Sequence, residues 1–307
     1  MDERTFRDAD GVEVFYRRWL PAGEPSLVLL LAHGMSEHSG RYGRLAAALT
    51  AHGDAVYALD HRGHGRTAAA TGVGRAGPSG IAGALSDIGE LRRVATAEVG
   101  APPVVLLGHS MGALLAQAYA EDDGGGLAGL VLSGSPGSDD AAAETAAAVQ
   151  ALVDAGMGDE PLAALTLLNA AFEPARTTFD WLSRDAAEVD AYLADPWCGD
   201  RHPMTYGFLA DLAAVAARTM EPAAIARLPA STPILLLTGG ADPVSNGAAA
   251  VRALEARLRS AGLTVEARYY PDARHEIFNE TNRDEVTRDL LDWLDLVKKS
   301  QNSEPAR

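Results

Sequence analysis

The stretch PVVLLGHSMGALLAQAYAE, residues 103–121, contains the pattern that decides the fold. A short apolar run, PVVLL, leads into Gly-His-Ser-Met-Gly at 108–112 and then into an Ala/Leu-rich segment of helical period. A sharp turn between a strand and a helix holds its central serine at the tip of the strand, with the positive end of the helix beneath the hydroxyl. Gly108 and Gly112 would let strand and helix approach closely. The pattern alone could be a glycine-rich turn with an incidental serine, but these flanks predict that Ser110 is a nucleophile.

Short apolar runs and longer segments of helical period alternate on both sides of this turn. Runs that are apolar throughout are typical of strands buried on both faces of a parallel sheet. The predicted strands are Ser26–Ala32, Ala55–Leu59, Pro103–Leu107, Gly129–Ser133, Pro233–Thr238 and Thr264–Tyr270. The predicted helices are Tyr42–His52, Leu85–Val99, Ala113–Glu121, Ala248–Ala261 and Arg283–Val297. This succession predicts an α/β protein with a mostly parallel, doubly wound sheet flanked by helices, and a hairpin of Thr5–Arg7 and Val12–Trp19 on the sheet edge.

The segment 136–228 interrupts this alternation. It contains Ala-rich helical stretches but no convincing strand, and a loop of that length inside a compact domain needs a structure or a function of its own. We therefore predict a mainly helical cap inserted into a core made of residues 1–135 and 229–299. The polar tail at 300–307, SQNSEPAR, is predicted to be disordered.

A nucleophilic serine needs a base within hydrogen-bond reach, and that base needs a carboxylate to orient it. Where this type of turn carries a hydrolase nucleophile, the chain order is Ser, then Asp or Glu, then His. His275, in the loop after the last predicted strand, fits this order, because His202 lies in the insertion and the other six histidines precede Ser110. Asp242 is the only carboxylate in the turn after PILLLT, where it can also initiate the turn. We predict that Asp242 orients His275.

Acyl transfer places negative charge on the carbonyl oxygen of the substrate. Preorganised backbone N–H groups stabilise that charge, each by about 3–4 kcal/mol. One donor is the residue after the nucleophile, which is Met111 here. The other comes from the loop after an early strand, His33-Gly34-Met35, in which Met35 is the expected donor and Gly34 lets the chain turn. His33 itself is expected to be structural.

The composition disfavours several classes of function and location. The 307 residues carry a formal net charge of -16, so nucleic acids and anionic membrane surfaces are not expected as partners. Cys198 is the single cysteine, no Cys/His spacing is typical of a zinc site, and the predicted chemistry needs no cofactor or metal. The N-terminal residues do not resemble a signal peptide, and no run approaches the roughly 20 apolar residues of a membrane span. These features predict a cytoplasmic protein.

Further stretches carry a distinctive signature beside the nucleophile pattern. They are HGMSEHSGRYGRLA at 33–46, DHRGHGRT at 60–67, GHSMG, the Asp242 turn, the His275 loop and FDWLSRDAAEVDAYLADPWCG at 179–199. Together they resemble the monoacylglycerol lipases and related bacterial lysophospholipase-like hydrolases, a serine aminopeptidase-like group of the α/β-hydrolase fold. The resemblance covers nearly the whole chain and implies that the insertion is a cap with an apolar entrance for an acyl chain. The positions that match the family's triad and oxyanion hole are Ser110, Asp242, His275, Met35 and Met111.

Other residues of these stretches have no evident chemistry of their own. Those expected to brace the loop that holds Met35 are Glu37, His38, Arg41 and Tyr42, and Asp60, His61, Arg62 and His64 are expected to be structural as well. Asp272 and Glu276, close to His275, are expected to be solvated or to cap their loop. Cys198 is expected to pack within the cap.

The favoured reaction is two-step acyl transfer on a carboxylic ester. Monoacylglycerol or a similar single-chain lipid ester is the favoured substrate, because an apolar pocket stabilises a chain by about 0.8 kcal/mol per buried methylene. A small-ester carboxylesterase, a thioesterase or a peptidase would use the same triad, whereas an epoxide hydrolase would carry aspartate in place of Ser110. A binding protein of the same fold typically lacks a triad member. The expected partner is a small ester or lipid, with transient contact between the cap and lipid surfaces.

Overall fold

The structure is a computed structural model that describes residues 1–137, 141–162 and 164–303. The strands are β1 Asp2–Arg7, β2 Glu13–Trp19, β3 Val28–Ala32, β4 Ala55–Leu59, β5 Val104–His109, β6 Gly129–Ser133, β7 Ile234–Gly239 and β8 Val265–Tyr270. The α-helices are α1 Gly43–Ala51, α2 Ala68–Thr71, α3 Gly80–Val99, α4 Met111–Asp123, α5 Ala142–Leu152, α6 Ala186–Ala194, α7 Tyr206–Thr219, α8 Pro222–Ile225, α9 Ala249–Ser260 and α10 Arg283–Ser303. Short 3-10 helices lie at Ser39–Tyr42, Ala164–Phe172, Asp180–Leu182, Gly199–Arg201 and Ile277–Asn279, and a π turn lies at Val153–Met157.

The eight strands form one sheet in the order β1-β2-β4-β3-β5-β6-β7-β8. β2 is antiparallel to both β1 and β4, and all the other neighbouring pairs are parallel. The predicted doubly wound, mostly parallel sheet with an edge hairpin is therefore confirmed. Because the carboxyl ends of parallel strands meet at one edge, the loops that follow β3, β5, β7 and β8 converge there.

Both faces of the sheet are covered around the inner strands β3 to β7, which explains why these strands are largely apolar. Leu30 and Leu106 face a core cluster shared with α3, α4 and α9. Their neighbours Leu29 and Leu107 face the opposite cluster, shared with α1 and α10. Alternate residues of one strand thus enter two different hydrophobic layers, as expected for a sheet between helices.

The insertion between β6 and β7 is mainly helical, as predicted. Its described residues form α5 to α8 and several 3-10 turns, with one isolated β-bridge between Pro161 and Thr205. It has a small core of its own, formed by Phe179, Trp181, Leu182, Val189, Tyr192 and Cys198. The exact boundaries of the cap at 136 and 228 stay a prediction. No helix among the described residues is both long and apolar enough to cross a bilayer.

The C-terminal helix is longer than the sequence predicted. The disordered tail was expected from residue 300, whereas α10 continues to Ser303, so this start of the tail is wrong. Buried residues anchor α10 on the sheet as far as Val297, and extending an existing helix by one turn costs little compared with nucleating a new one. Residues 304–307, the rest of the predicted tail, lie outside the described residues.

Candidate active site

Ser110 lies at the sharp turn between β5 and α4. Its backbone has φ 55° and ψ -117°, a positive φ that residues with a side chain rarely adopt. The Ser110 N–H donates to the carbonyl oxygen of Ser133 at 2.9 Å, which fastens the turn to β6. A Cβ on Gly108 would lie 2.1 Å from the oxygen of Gly112, and a Cβ on Gly112 would lie 2.1 Å from the oxygen of Ala32. Both glycines are therefore required by close backbone approach.

His275 and Asp242 form a buried pair at the same edge of the sheet. The ring Nδ1 of His275 lies 2.9 Å from Oδ2 of Asp242, and the other carboxylate oxygen accepts the N–H of Val244 at 2.9 Å. Burial opposes a charge on the ring, but the carboxylates of Asp242, Glu276 and Glu37 together outweigh it and raise the pKa of His275 above its ordinary value. The Asp242 carboxylate can thus orient the ring and stabilise an imidazolium.

Ser110 and His275 line one cavity of about 260 Å³. Met35 and Met111 line it too, together with an apolar wall that includes Leu114, Pro136, Leu168, Trp181, Leu212 and Val244. Among the described residues, no hydrogen bond joins the Ser110 hydroxyl to the His275 ring. Contacts of this kind often shorten only when substrate is bound. The cavity therefore brings together the four predicted site residues that would contact substrate.

Each predicted oxyanion donor, Met35 and Met111, follows a residue whose N–H donates a hydrogen bond within the protein. The N–H of Gly34 donates to Oε1 of Glu37 at 2.6 Å, and the next residue is Met35. The N–H of Ser110 donates to the strand beside it, and the next residue, Met111, begins α4. Amides in the first turn of a helix have no partner within the helix. The arrangement suits two N–H groups directed at one oxygen.

The ring of His33 contacts the backbone of the loop that contains Met35. Its Nδ1 lies 2.8 Å from the oxygen of Gly34, and its Nε2 accepts the N–H of His61 at 2.9 Å. Burial lowers the pKa of His33, so the ring is a neutral structural link. This agrees with the structural role expected for His33.

Arg41 joins the oxyanion loop to the loop that carries the base. Its guanidinium is buried, with Nη1 3.0 Å from Oε2 of Glu37 and Nη2 2.8 Å from Oε2 of Glu276. Glu37 in turn accepts the Tyr42 hydroxyl at 2.7 Å. Burial disfavours the charge on Glu37, yet Arg41 beside it holds the pKa of that carboxyl at about 2. The signature residues Glu37, Arg41 and Tyr42 thus form a charged brace under the site.

The prediction that Glu276 is solvated is wrong, because only 5% of it is exposed and its carboxylate is paired with Arg41. The alternative, that it caps its loop, agrees with the structure, since its Oε2 accepts the side-chain N–H of Asn279 at 3.0 Å. Asp272 is exposed, as predicted. The difference arises because Arg41, far away in sequence, supplies the charge that makes burial of Glu276 tolerable.

Within the described ranges, one group of side chains has the donor types of a metal site. The donor atoms of His38, Asp195 and Cys198 lie within 4.8 Å of one another. However, Nδ1 of His38 accepts the N–H of Gly40 at 3.2 Å, so the hydrogen of the neutral ring is on Nε2, 3.0 Å from Oδ2 of Asp195. Burial also raises the pKa of the Cys198 thiol, which disfavours the thiolate that would bind a metal. The group is a hydrogen-bonded link between the core and the cap.

Two aromatic rings beside His275 received no role in the sequence analysis. The ring centroid of His109 lies 4.8 Å from that of His275, and the centroid of Trp181 lies 5.1 Å from it. Burial lowers the pKa of His109 to about 4, so this second ring stays neutral. The only sequence signal for His109 was its position next to Ser110, and Trp181 comes from the cap.

The fold and the site together define a class, the hydrolases of the α/β-hydrolase fold with serine at the nucleophile turn. The chain belongs to the serine aminopeptidase S33 family, whose model matches residues 23–282. A monoacylglycerol lipase of Mycolicibacterium smegmatis is 31% identical to it over 95% of this chain and 96% of the relative. A monoglyceride lipase of Homo sapiens is 30% identical over 90% of this chain and 87% of the relative.

Solved structures agree with this assignment. A thermostable carboxyl esterase from Bacillus coagulans, solved with glycerol, matches with a TM-score of 0.90 and 28% identity over 97% of this chain and 98% of its own. The protein is accordingly an enzyme, a carboxylic-ester hydrolase. A binding protein of the same fold is therefore no longer an alternative.

Proposed function

We propose that the protein hydrolyses monoacylglycerol or a similar single-chain lipid ester through a covalent acyl-enzyme at Ser110. The observation that carries the proposal is that His275, held at 2.9 Å by the buried Asp242, lines the same apolar cavity as Ser110. The two relatives named for monoacylglycerol or monoglyceride, similar over nearly the whole chain, support this substrate class.

The mechanism begins with acylation of the enzyme. Oγ of Ser110 attacks the ester carbonyl carbon while Nε2 of His275 takes the hydroxyl proton, and Asp242 stabilises the imidazolium that forms. The oxyanion accepts hydrogen bonds from the N–H groups of Met35 and Met111. His275 then gives its proton to the leaving alcohol.

Deacylation repeats these steps with water as the nucleophile. His275 takes a proton from water as the oxygen attacks the acyl carbon, and the same two amides hold the second oxyanion. Collapse of the intermediate breaks the bond to Ser110, which recovers its proton from His275 as the fatty acid leaves. Every proton transfer uses the same imidazole, so the position of that ring limits both halves of the reaction.

A carboxylesterase for smaller esters is the second candidate. The cavity of about 260 Å³ is smaller than the roughly 300–1,000 Å³ of sites that enclose drug-sized ligands. The structural match to a carboxyl esterase also favours this candidate. The two candidates share the same triad and differ in the acyl chain that the cavity accepts.

Labelling with a fluorophosphonate probe followed by a substrate series tests both candidates. We expect the probe to label the wild type and not Ser110→Ala, and the variant to lose hydrolysis of every ester. Nitrophenyl esters and monoacylglycerols are then compared from acetyl to oleoyl at equal concentration. A rate that rises with chain length supports the lipid ester, whereas a maximum at acetyl or butyryl supports the carboxylesterase. Labelling or turnover retained in Ser110→Ala would contradict the mechanism.

A further inference from the structure

A strip of the cap lies directly against the loop that carries His275. We call residues 180–185 the cap strip and residues 274–283 the base loop. The backbone N–H of Glu276 donates to the carbonyl oxygen of Leu182 at 2.8 Å, and the N–H of His275 lies 3.4 Å from the oxygen of Trp181. The two segments therefore pair through the main-chain amides of the histidine and of the residue that follows it.

A buried carboxylate fastens the same two segments together. Glu280 is fully buried and accepts the N–H of Arg274 at 2.9 Å and the N–H of Arg184 at 3.0 Å. The side chain of Arg184 adds an ion pair to Glu280 at 2.9 Å. The hydroxyl of Ser183 donates to the oxygen of Asn279 at 2.9 Å. Separation of the cap strip from the base loop would therefore break the Arg184 hydrogen bond and ion pair to Glu280 and the Ser183 hydrogen bond. It would leave Glu280 only its partners in its own loop, Arg274 and Thr281.

Trp181, a residue of the cap strip, packs against the ring of His275. Its indole lies 5.1 Å from the His275 ring, with 42° between the planes, and only 4% of the residue is exposed. The backbone of Trp181 is held in turn, because its N–H donates to Oδ1 of Asn169 at 3.0 Å and the Asn169 amide donates to the oxygen of Thr177 at 2.9 Å. The anchored backbone thus places the buried indole against one side of the imidazole.

We infer that Trp181 and the cap strip are positioning elements for His275, an inference that rests on the proposed role of His275 as the base. Asp242 holds the ring by one hydrogen bond at Nδ1, and within the core the His109 ring packs beside it with centroids 4.8 Å apart. The indole limits rotation and tilt of the ring from the cap side and keeps Nε2 directed at the cavity. A displacement of about 1 Å in such a group can reduce a rate by about a hundredfold. It follows that the cap strip stays with the core when substrate enters.

Kinetics of two Trp181 variants on nitrophenyl acetate test the inference, since an acetyl group needs no long apolar pocket. We expect Trp181→Ala to lower kcat by about 10- to 100-fold with KM nearly unchanged, and Trp181→Phe to recover most of that loss because a ring remains. Labelling by the fluorophosphonate should slow by a similar factor. Trp197→Ala is the matched control, because this other cap tryptophan packs against His38 and Arg66. It should keep the wild-type kcat.

Glu280→Gln removes the ion pair between Arg184 and Glu280 that joins the cap strip to the base loop, and Glu280 does not line the cavity. It should also lower kcat and leave KM unchanged, with circular dichroism confirming the fold. The inference is overturned if Trp181→Ala keeps the wild-type kcat, or if it changes KM alone, since the indole would then be only part of the pocket wall. If Trp181→Ala does not fold, Trp181→Phe and Glu280→Gln decide in the same way. A wild type that neither cleaves esters nor takes the probe would instead refute the proposed function.

Discussion

Arg41 carries a buried positive charge whose partners are Glu37 and Glu276, with only 9% of its side chain exposed. Removing it leaves two buried carboxylates without a counter-charge. We expect Arg41→Met to lower the free energy of unfolding by about 3–5 kcal/mol, measured by urea denaturation. Arg44 offers a matched control because it pairs with Glu188 while half of its side chain is exposed. Arg44→Met should cost at most about 1 kcal/mol, and similar losses in the two variants would contradict this account of the brace.

The pH dependence of activity depends on the ionisation of His275. Burial opposes its charge, whereas Asp242 and Glu276 favour it, and the net effect raises the pKa of the ring. A base must be neutral, so kcat/KM should fall as the pH drops through a value above the ordinary histidine pKa of about 6.5. Glu276→Gln removes one of the charges that raise this pKa, so the acid limb of the kcat/KM profile should move to lower pH.

The control for this shift is Asp272→Asn in the same loop. Asp272 is exposed, and water and salt screen its charge. Its substitution should leave the acid limb in place. An acid limb that stays fixed in Glu276→Gln, or moves to higher pH, would show that Glu276 does not stabilise the imidazolium.

The turn between β5 and α4 leaves no room for a side chain at its second glycine. A Cβ at position 112 would lie 2.1 Å from the oxygen of Ala32 in β3, so strand and helix would have to separate. We expect Gly112→Ala to prevent correct folding or to abolish probe labelling. Gly43→Ala is the matched control, because it opens α1 and a Cβ there meets nothing within 4 Å. That change should stabilise the protein by about 0.5–1 kcal/mol, as thermal denaturation would measure. A wild-type melting temperature in Gly112→Ala would contradict the contact.

The inner strands β3 to β7 were predicted within about two residues because burial on both faces leaves them a largely apolar composition. The start of the edge strand β1, which is mostly exposed, was missed by three residues. The start of α3 was predicted less well, at Leu85 instead of Gly80. Gly80 and Gly83 weaken helix propensity in this turn, and burial of Ile81 against the core compensates in the folded protein. Intrinsic propensity therefore misplaced the start of α3, which tertiary packing stabilises.

The candidate triad could be predicted because each member follows a core strand and the order along the chain restricts the choice. Glu276 and Trp181 could not, since their environment depends on segments distant in sequence. Arg41 reaches Glu276 from the other end of the chain, and the cap brings Trp181 to His275. Sequence patterns give local structure and order, whereas such contacts appear only when the sheet and the cap are assembled.

Net charge and the exposed side chains of the cap would both affect the predicted contact between the protein and a lipid surface. A formal net charge of -16 repels anionic membranes. Salt screens this repulsion, which extends over about 10 Å in 0.1 M electrolyte. The cap nevertheless exposes 75% of Leu167, a large apolar side chain next to Leu168 of the cavity wall. The contact between the cap and lipid surfaces that the sequence predicts stays a prediction, and Leu167 provides a test of it.

Leu167→Asp should reduce hydrolysis of monooleoylglycerol in neutral phosphatidylcholine vesicles several-fold, because it removes an apolar contact and adds a repelled charge. Hydrolysis of soluble nitrophenyl acetate should be unchanged, since the active-site cavity is intact. The matched control is Leu296→Asp, which places the same charge on α10, where 57% of the leucine is exposed outside the cap. Equal losses in the two variants would mean that net charge alone governs access, and unchanged vesicle activity in Leu167→Asp would mean that this part of the cap does not contact lipid.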